Sequence, residues 1–137
     1  MIVVDTSALM AILKTETAAA ECDAILSHGS QRVLMSAATV TEAYIVAARN
    51  HRLAEMKMLI TASVAEIIPL TSARAERAAA AYQRFGKGFH PASLNFGDCF
   101  SYATAEEFDC PLLYVGNDFT RTDMRSVLDT NQPHKSL

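Results

Sequence analysis

Short apolar runs that alternate with helix-period segments constrain this chain more than any other feature. The runs are Ile2-Val3-Val4, Val33-Leu34-Met35, Ile67-Ile68 (ended by Pro69) and Leu112-Leu113-Tyr114-Val115. Each is too short for a helix and apolar throughout, as a strand buried on both faces must be. Between them, residues 8–13, 16–28, 36–50, 52–64, 73–85 and 97–109 read as helices. In 36–50, for example, Val40, Tyr44 and Ala47 fall at i, i+4 and i+7 on one stripe. Ser72 is placed to cap the alanine-rich helix 73–85, and the glycines and proline of 86–95 make that segment a loop. Strands separated by helices pair in parallel, with helices covering both faces. The expected fold is therefore α/β: three α/β/α layers around a short-stranded parallel sheet of four to five strands, residues 125–128 adding the fifth. Residues 129–137 are polar and contain a proline, so they are expected to fray. No repeat or linker divides the chain, and one domain over 1–137 is expected.

Composition narrows the function. The chain has 137 residues, half of them hydrophobic and 20% charged, which supports a packed core rather than disorder. No apolar run approaches the ~20 residues that cross a bilayer. The N-terminus lacks the basic region of a signal peptide, so a soluble cytoplasmic protein is expected. Cys22, Cys99 and Cys110 are odd in number and show no C-x-x-C spacing, which suits buried thiols in a reducing compartment. The four histidines form no H-x-x-x-H pair, against a zinc hydrolase. A net charge of −3 argues against coating nucleic acid by bulk charge, but not against local contact with a few phosphates.

The acids carry the sharper signal. Sites on open parallel sheets lie beyond the carboxyl ends of the strands. Asp5 follows the first strand there and Asp118 lies just past the last, while Glu42 and Asp98 are placed in the first turns of their helices. Each also has a plain structural explanation. Asp5 suits a helix N-cap, Glu42 completes a T-x-x-E capping box with Thr39, Asp98 favours a helix N-terminus, and Asp118 sits in a Gly-Asn-Asp turn. Taken as a set, four carboxylates converging on one rim would repel, and a hard divalent cation resolves that conflict.

With those acids in place, the chain resembles the PIN-domain ribonucleases, and specifically the VapC toxins of bacterial toxin–antitoxin pairs. The matching stretches are Ile2-Val3-Val4-Asp5-Thr6-Ser7-Ala8, the segment from Ser36 to Glu42, Leu94-Asn95-Phe96-Gly97-Asp98-Cys99-Phe100, and Leu113-Tyr114-Val115-Gly116-Asn117-Asp118-Phe119 with Thr122-Asp123 after it. The N-F-G-D and G-N-D-F blocks are the most specific, and no acid of the pattern is missing. The resemblance implies a metal-dependent endoribonuclease with Asp5, Glu42, Asp98 and Asp118 around one or two Mg²⁺ or Mn²⁺ ions. It implies supporting or substrate-contacting roles for Thr6, Ser7, Asn117 and Asp123, with a helix cap as the alternative for Thr6 or Ser7 and direct metal binding as the alternative for Asp123. It also implies a small antitoxin covering the acidic rim, and a homodimer; the apolar faces of helices 38–49 and 52–64, including Tyr44 and Met56, are candidates for one or other interface, with plain core as the alternative.

Arg84, Lys87, Phe89 and Arg121 flank the rim loops as candidate RNA contacts, each with the alternative of a solvated or locally packed side chain. His90 in the same loop suits a solvated histidine better than an RNA contact. Two other functions compete. One is a PIN fold that binds partners without catalysis, which the intact acid set opposes. The other is a haloacid dehalogenase-like phosphatase, which wants a second acid where Ser7 stands. No G-x-G-x-x-G follows the first strand, so a dinucleotide site has little support.

Overall fold

The computed structural model describes residues 1–128, so the expected fray of 129–137 lies outside the described residues. Its elements run β1 (Ile2–Val4), α1 (Thr6–Leu13), α2 (Ala19–Ser27), β2 (Val33–Ser36), α3 (Ala37–Arg49), α4 (Leu53–Ser63), β3 (Glu66–Ile68), α5 (Ser72–Phe85), α6 (Phe96–Glu107) and β4 (Leu112–Leu113). The four strands form one sheet in the order β3-β2-β1-β4, with every pairing parallel.

β1, β2 and β4 are buried on both faces because their alternate side chains enter two different cores, whereas the edge strand β3 buries Ile68 and leaves Glu66 and Ile67 exposed. Ile2, Val4, Val33 and Met35 point to one side and pack with Leu9, Cys22, Ala43, Met56 and Ile60 of α1–α4. Val3, Leu34 and Leu112 point to the other and pack with Ala78, Phe85, Cys99 and Tyr102 of α5 and α6. This is the expected three-layer arrangement. All three cysteines are free and buried. No helix among the described residues is long and apolar enough to cross a membrane.

Several local expectations are corrected. β4 stops at Leu113 rather than Val115 because the Val115 N–H donates to Ser7 Oγ (3.1 Å) instead of to a neighbouring strand. Residues 125–128 contribute only a single parallel bridge, Leu112 to Ser126. There Ser126 Oγ is turned back on its own chain, bonding both the N–H and the carbonyl of Leu128. α5 is capped by Thr71, whose hydroxyl accepts from the Arg74 N–H, and Ser72 is its first helical residue. Met56 is fully buried and belongs to the core. The large apolar side chains that α3 and α4 do expose are Ile45 and Met58. The loop 86–95 is braced: Lys87 N–H donates to the Leu94 carbonyl, Leu94 N–H to Phe85, and Leu94 is buried beneath it. His90 is not a solvated loop residue, since its Nδ1 accepts from the Ala92 N–H and its ring stands edge-on to Phe85.

The topology decides where a site can form. The chain leaves β1 toward β2 and β3, then returns to place β4 on the other flank of β1. The strand order therefore switches between β1 and β4, and ligands bind at such a point beyond the carboxyl ends.

Candidate active site

Asp5 leaves the end of β1 with its N–H donating to the Leu113 carbonyl (3.0 Å), so β4 fixes its backbone. It is buried and caps α1. Oδ2 accepts from both the N–H (3.1 Å) and the Oγ (2.7 Å) of Ser7. Oδ1 accepts from Ser101 Oγ at 2.6 Å. The structural explanation holds at this position, since Asp5 caps α1, and the same bonds fix the direction of its carboxylate.

Glu42 is not the capping-box residue its spacing with Thr39 suggests. Ser36 caps α3 by accepting from the Ala38 N–H, which puts Glu42 in the second turn rather than the first. Its Oε1 accepts from Thr6 Oγ1 at 2.7 Å. Thr39 instead turns inward to Ser101, 3.3 Å between hydroxyls. Since the Ser101 proton goes to Asp5, Thr39 is the donor of that pair. Thr6, Ser7, Thr39 and Ser101 thus form a hydroxyl scaffold that holds Asp5 and Glu42.

Asp98 is the third residue of α6 and forms a reciprocal capping box with Asn95. Asn95 Oδ1 accepts from the Asp98 N–H (2.9 Å), and Asp98 Oδ2 accepts from the Asn95 N–H (3.1 Å). Burial pushes its carboxyl up to about 7, against the opposing Asn95 hydrogen bond, and the charges of Asp5, Asp118 and Glu42 raise it further. Burial likewise raises Glu42, with Asp5 and Asp118 adding to it against the Thr6 hydrogen bond. Asp118, exposed in the loop after β4, is raised by partial desolvation of its carboxyl and by the charge of Asp5. The four acids therefore share one electrostatic neighbourhood.

As the side chains stand, no three His, Cys, Asp or Glu among the described residues are gathered tightly enough to hold an ion. Each acid is held by its own neighbours instead. The donor chemistry nonetheless fits a hard divalent cation: the set is carboxylate only, without nitrogen or sulfur, and its members destabilise one another's charged forms.

The other candidates divide. Asp123 stands apart from the cluster: one oxygen accepts from Tyr102 Oη at 2.5 Å and the other pairs with Arg84 at 3.1 Å. Arg84 also lies over the Phe85 ring and near Glu106. These two residues fasten the loop carrying Asp118 to α5 and α6. Asn117 braces the turn through its carbonyl, which accepts from the N–H and hydroxyl of Thr120. Lys87 and Arg121 are exposed. Phe89 is 63% exposed, edge-on to Tyr82.

Three residues contribute in ways that sequence did not indicate. Ser101 lies three residues after Asp98 on one face of α6, a spacing that could have revealed it. Thr39 reaches Ser101 across 62 residues, which leaves no local trace. Gly97 matters for what it lacks: a Cβ there would lie 1.8 Å from Glu42 Oε2. Gly97→Ala must displace the Glu42 carboxylate, the mobile end of its side chain, from the position in which Thr6 holds it. The expected outcome is RNA cleavage lowered about ten-fold or more, with a melting temperature unchanged or slightly raised because alanine favours helix by up to ~1 kcal/mol. Unaltered cleavage by Gly97→Ala would show that the placement of Glu42 is immaterial.

Comparison with known proteins gives the family of the chain. The family model described as "PIN domain" matches residues 2–124. Ribonuclease VapC36 of Mycobacterium tuberculosis is 43% identical over 126 residues, covering 89% of this chain and 90% of its own. Ribonuclease VapC28 of the same organism is 43% identical over 132 residues, covering 93% and 98%. Among solved structures, M. tuberculosis VapC20, titled a sarcin–ricin loop cleaving toxin, superposes with a TM-score of 0.71 at 17% identity, covering 90% of this chain and 96% of that one. A chain of a toxin–antitoxin complex from Klebsiella pneumoniae gives 0.66 at 21% identity, covering 90% and 93%. At such identities the structural likenesses speak for the fold alone. With the family model spanning nearly the whole chain and relatives this similar end to end, the chain belongs to the PIN-domain family and, within it, to the VapC ribonucleases.

Proposed function

We propose that this chain is a divalent-metal-dependent endoribonuclease that acts as the toxin of a toxin–antitoxin pair, with Asp5, Glu42, Asp98 and Asp118 as its metal-holding acids. The observation that carries the metal reading is the acids' shared rim at the β1/β4 switch point. There Asp98 feels the charge of the other three, and a buried hydroxyl scaffold orients Asp5 and Glu42. The reaction is hydrolysis of an RNA phosphodiester. Mg²⁺ or Mn²⁺ bound at these carboxylates supplies charge neutralisation at the phosphoryl oxygens and a water of lowered pKa. The chain's own part is positional. Ser7 and Ser101 together occupy both Asp5 oxygens, Thr6 holds one Glu42 oxygen, and the Asn95 cap holds one oxygen of Asp98. No histidine base is required. The phosphatase alternative loses its second acid to Ser7, which here serves Asp5.

An active ribonuclease in the cytoplasm needs restraint, and an antitoxin suited to this rim presents a cation, for which arginine matches a carboxylate bidentately. Ile45 and Met58 on the outer faces of α3 and α4 are the apolar groups offered there for a homodimer contact.

Two experiments test this. Purified protein should cleave a mixed RNA pool in Mg²⁺ and stop on addition of EDTA; intact RNA under both conditions would leave only a non-catalytic binding module. In cells, the chain alone should arrest growth, and arrest should vanish with co-expression of its genomic neighbour or with Asp5→Ala. Arrest that persists in Asp5→Ala places the toxicity elsewhere. A neighbour that fails to bind removes the toxin–antitoxin reading and leaves the nuclease.

A further inference from the structure

Beside the acidic rim, residues 91–93 of the loop after α5 and residues 117–122 of the loop after β4 enclose an open groove of about 820 Å³. Asp118 lines one part of it and belongs electrostatically to the acidic cluster, so the groove opens onto the site. The rest of the lining is small or polar, including Ala92, Ser93, Asn117 and Thr120. Arg121 is the one cation among the described lining residues. It is exposed, and its guanidinium has no ion pair or hydrogen bond among the described residues. Every other arginine near the α5–α6 face, Arg74, Arg77 and Arg84, is already paired with Glu107, Glu106 or Asp123.

We propose that this groove carries the sugar-phosphate backbone of single-stranded RNA next to the bond being cut, with Arg121 paired to a flanking phosphate. The inference rests on the nuclease reading above and names how its substrate is held. An anionic chain approaching four carboxylates needs a cation outside the metal site. Arg121 supplies one, on the same short loop as Asp118. The lining suits a backbone rather than a base: it offers hydroxyls and an amide for ribose and phosphate oxygens, and no aromatic ring on which a base can stack. The volume lies within the roughly 300–1,000 Å³ of sites for small ligands, enough for a nucleotide-sized piece of single strand and not for a duplex. A second groove, between α5 and α6 with Phe89 and Phe96 at its edge, is of the opposite character, lined almost wholly by apolar side chains.

The test measures binding of a fluorescent single-stranded RNA heptamer to the Asp98→Asn chain, whose slowed cleavage lets binding be read before the RNA is cut. Adding Arg121→Ala should weaken binding about ten-fold. It should also reduce the slope of log K against log salt by about 0.7–1, the signature of one lost phosphate contact. Arg121→Lys should keep most of the slope and recover part of the affinity. Phe96→Ala should leave both unchanged. In the otherwise native chain, Arg121→Ala should raise KM with kcat nearly constant. Binding and salt slope indifferent to Arg121→Ala, or lost in Phe96→Ala instead, overturn the groove assignment. Cleavage by the native chain is scored in parallel: if it cuts RNA and Arg121→Ala changes nothing, only this inference fails, whereas no cleavage in Mg²⁺ defeats the nuclease reading itself.

Discussion

Asp98→Asn leaves a folded chain that cleaves RNA at least ~100-fold more slowly in saturating Mg²⁺, the cost of a few kcal/mol at the transition state. The substitution separates the two jobs this residue performs. Its structural job is the capping box with Asn95, in which Oδ2 accepts a backbone N–H. An amide oxygen accepts the same bond, and the return bond from the residue 98 N–H to Asn95 involves only backbone on that side. Its electrostatic job is to bring negative charge to the rim, and an amide brings none. The lost charge at the helix N-terminus costs a few tenths of a kcal/mol to ~1, and relief from repulsion by Asp5, Asp118 and Glu42 acts the other way. Circular dichroism should therefore show native helix content and an undiminished melting temperature, while single-turnover cleavage collapses. Asp98→Ala is the informative contrast, because it also removes the cap and should lower stability by about 1 kcal/mol. A folded Asp98→Asn chain cutting at near the native rate would falsify the placement of Asp98 at the metal.

What could be read ahead of the structure follows how local each feature is. The positions of Asp5 and Asp118 were legible because one apolar run ends immediately before Asp5 and another ends three residues before Asp118, and strand ends in a parallel sheet converge on one rim. Asp98 was legible through the asparagine three residues ahead of it, and the structure shows cap and candidate ligand to be the same carboxylate. Glu42 misled because T-x-x-E is a local pattern while the deciding contacts are distant. β2 runs on to Ser36, which takes the cap, and Thr39 is drawn to Ser101 on α6. The early end of β4 has the same origin: the hydroxyl that takes the Val115 N–H lies 108 residues away. The role of Asp123 turned on Tyr102 and Arg84, two partners on different helices that no spacing rule connects. Local chemistry marks the acids as candidates; which hydroxyl holds which acid is a property of the packed layers.

With metal chelated, the protein should lose stability as pH rises from about 4 to about 7, and Asp98→Asn should remove a large part of that loss. In the folded chain Asp98 titrates at about 7, raised first by burial, whereas an unfolded carboxyl titrates near 3.8. Between these values the native state holds a proton that the unfolded state has released. The unfolded state then binds fewer protons, so the free energy of unfolding falls as pH rises. Below pH ~4 both states are protonated and the penalty is absent; above ~7 it is present in full. At about 1.4 kcal/mol per pKa unit the penalty is of the order of a few kcal/mol, or roughly 10 °C in melting temperature for a chain of this size. Glu42 and Asp118 are shifted in the same direction and steepen the slope. Asparagine cannot ionise, so in EDTA the variant should match the native chain near pH 4 and melt progressively higher than it toward pH 8. Saturating Mn²⁺ reverses the order. An ion that binds only the folded state adds RT ln(1 + [L]/Kd), about 2.7 kcal/mol at a hundred times Kd. It does so most strongly where the acids are already deprotonated. The native chain should then gain the most at pH 8 and the variant much less. Parallel native and variant curves from pH 4 to 8 in EDTA would mean that Asp98 ionises without strain. A native melting temperature indifferent to Mn²⁺ at pH 8 would mean that these carboxylates do not gather an ion in the folded protein.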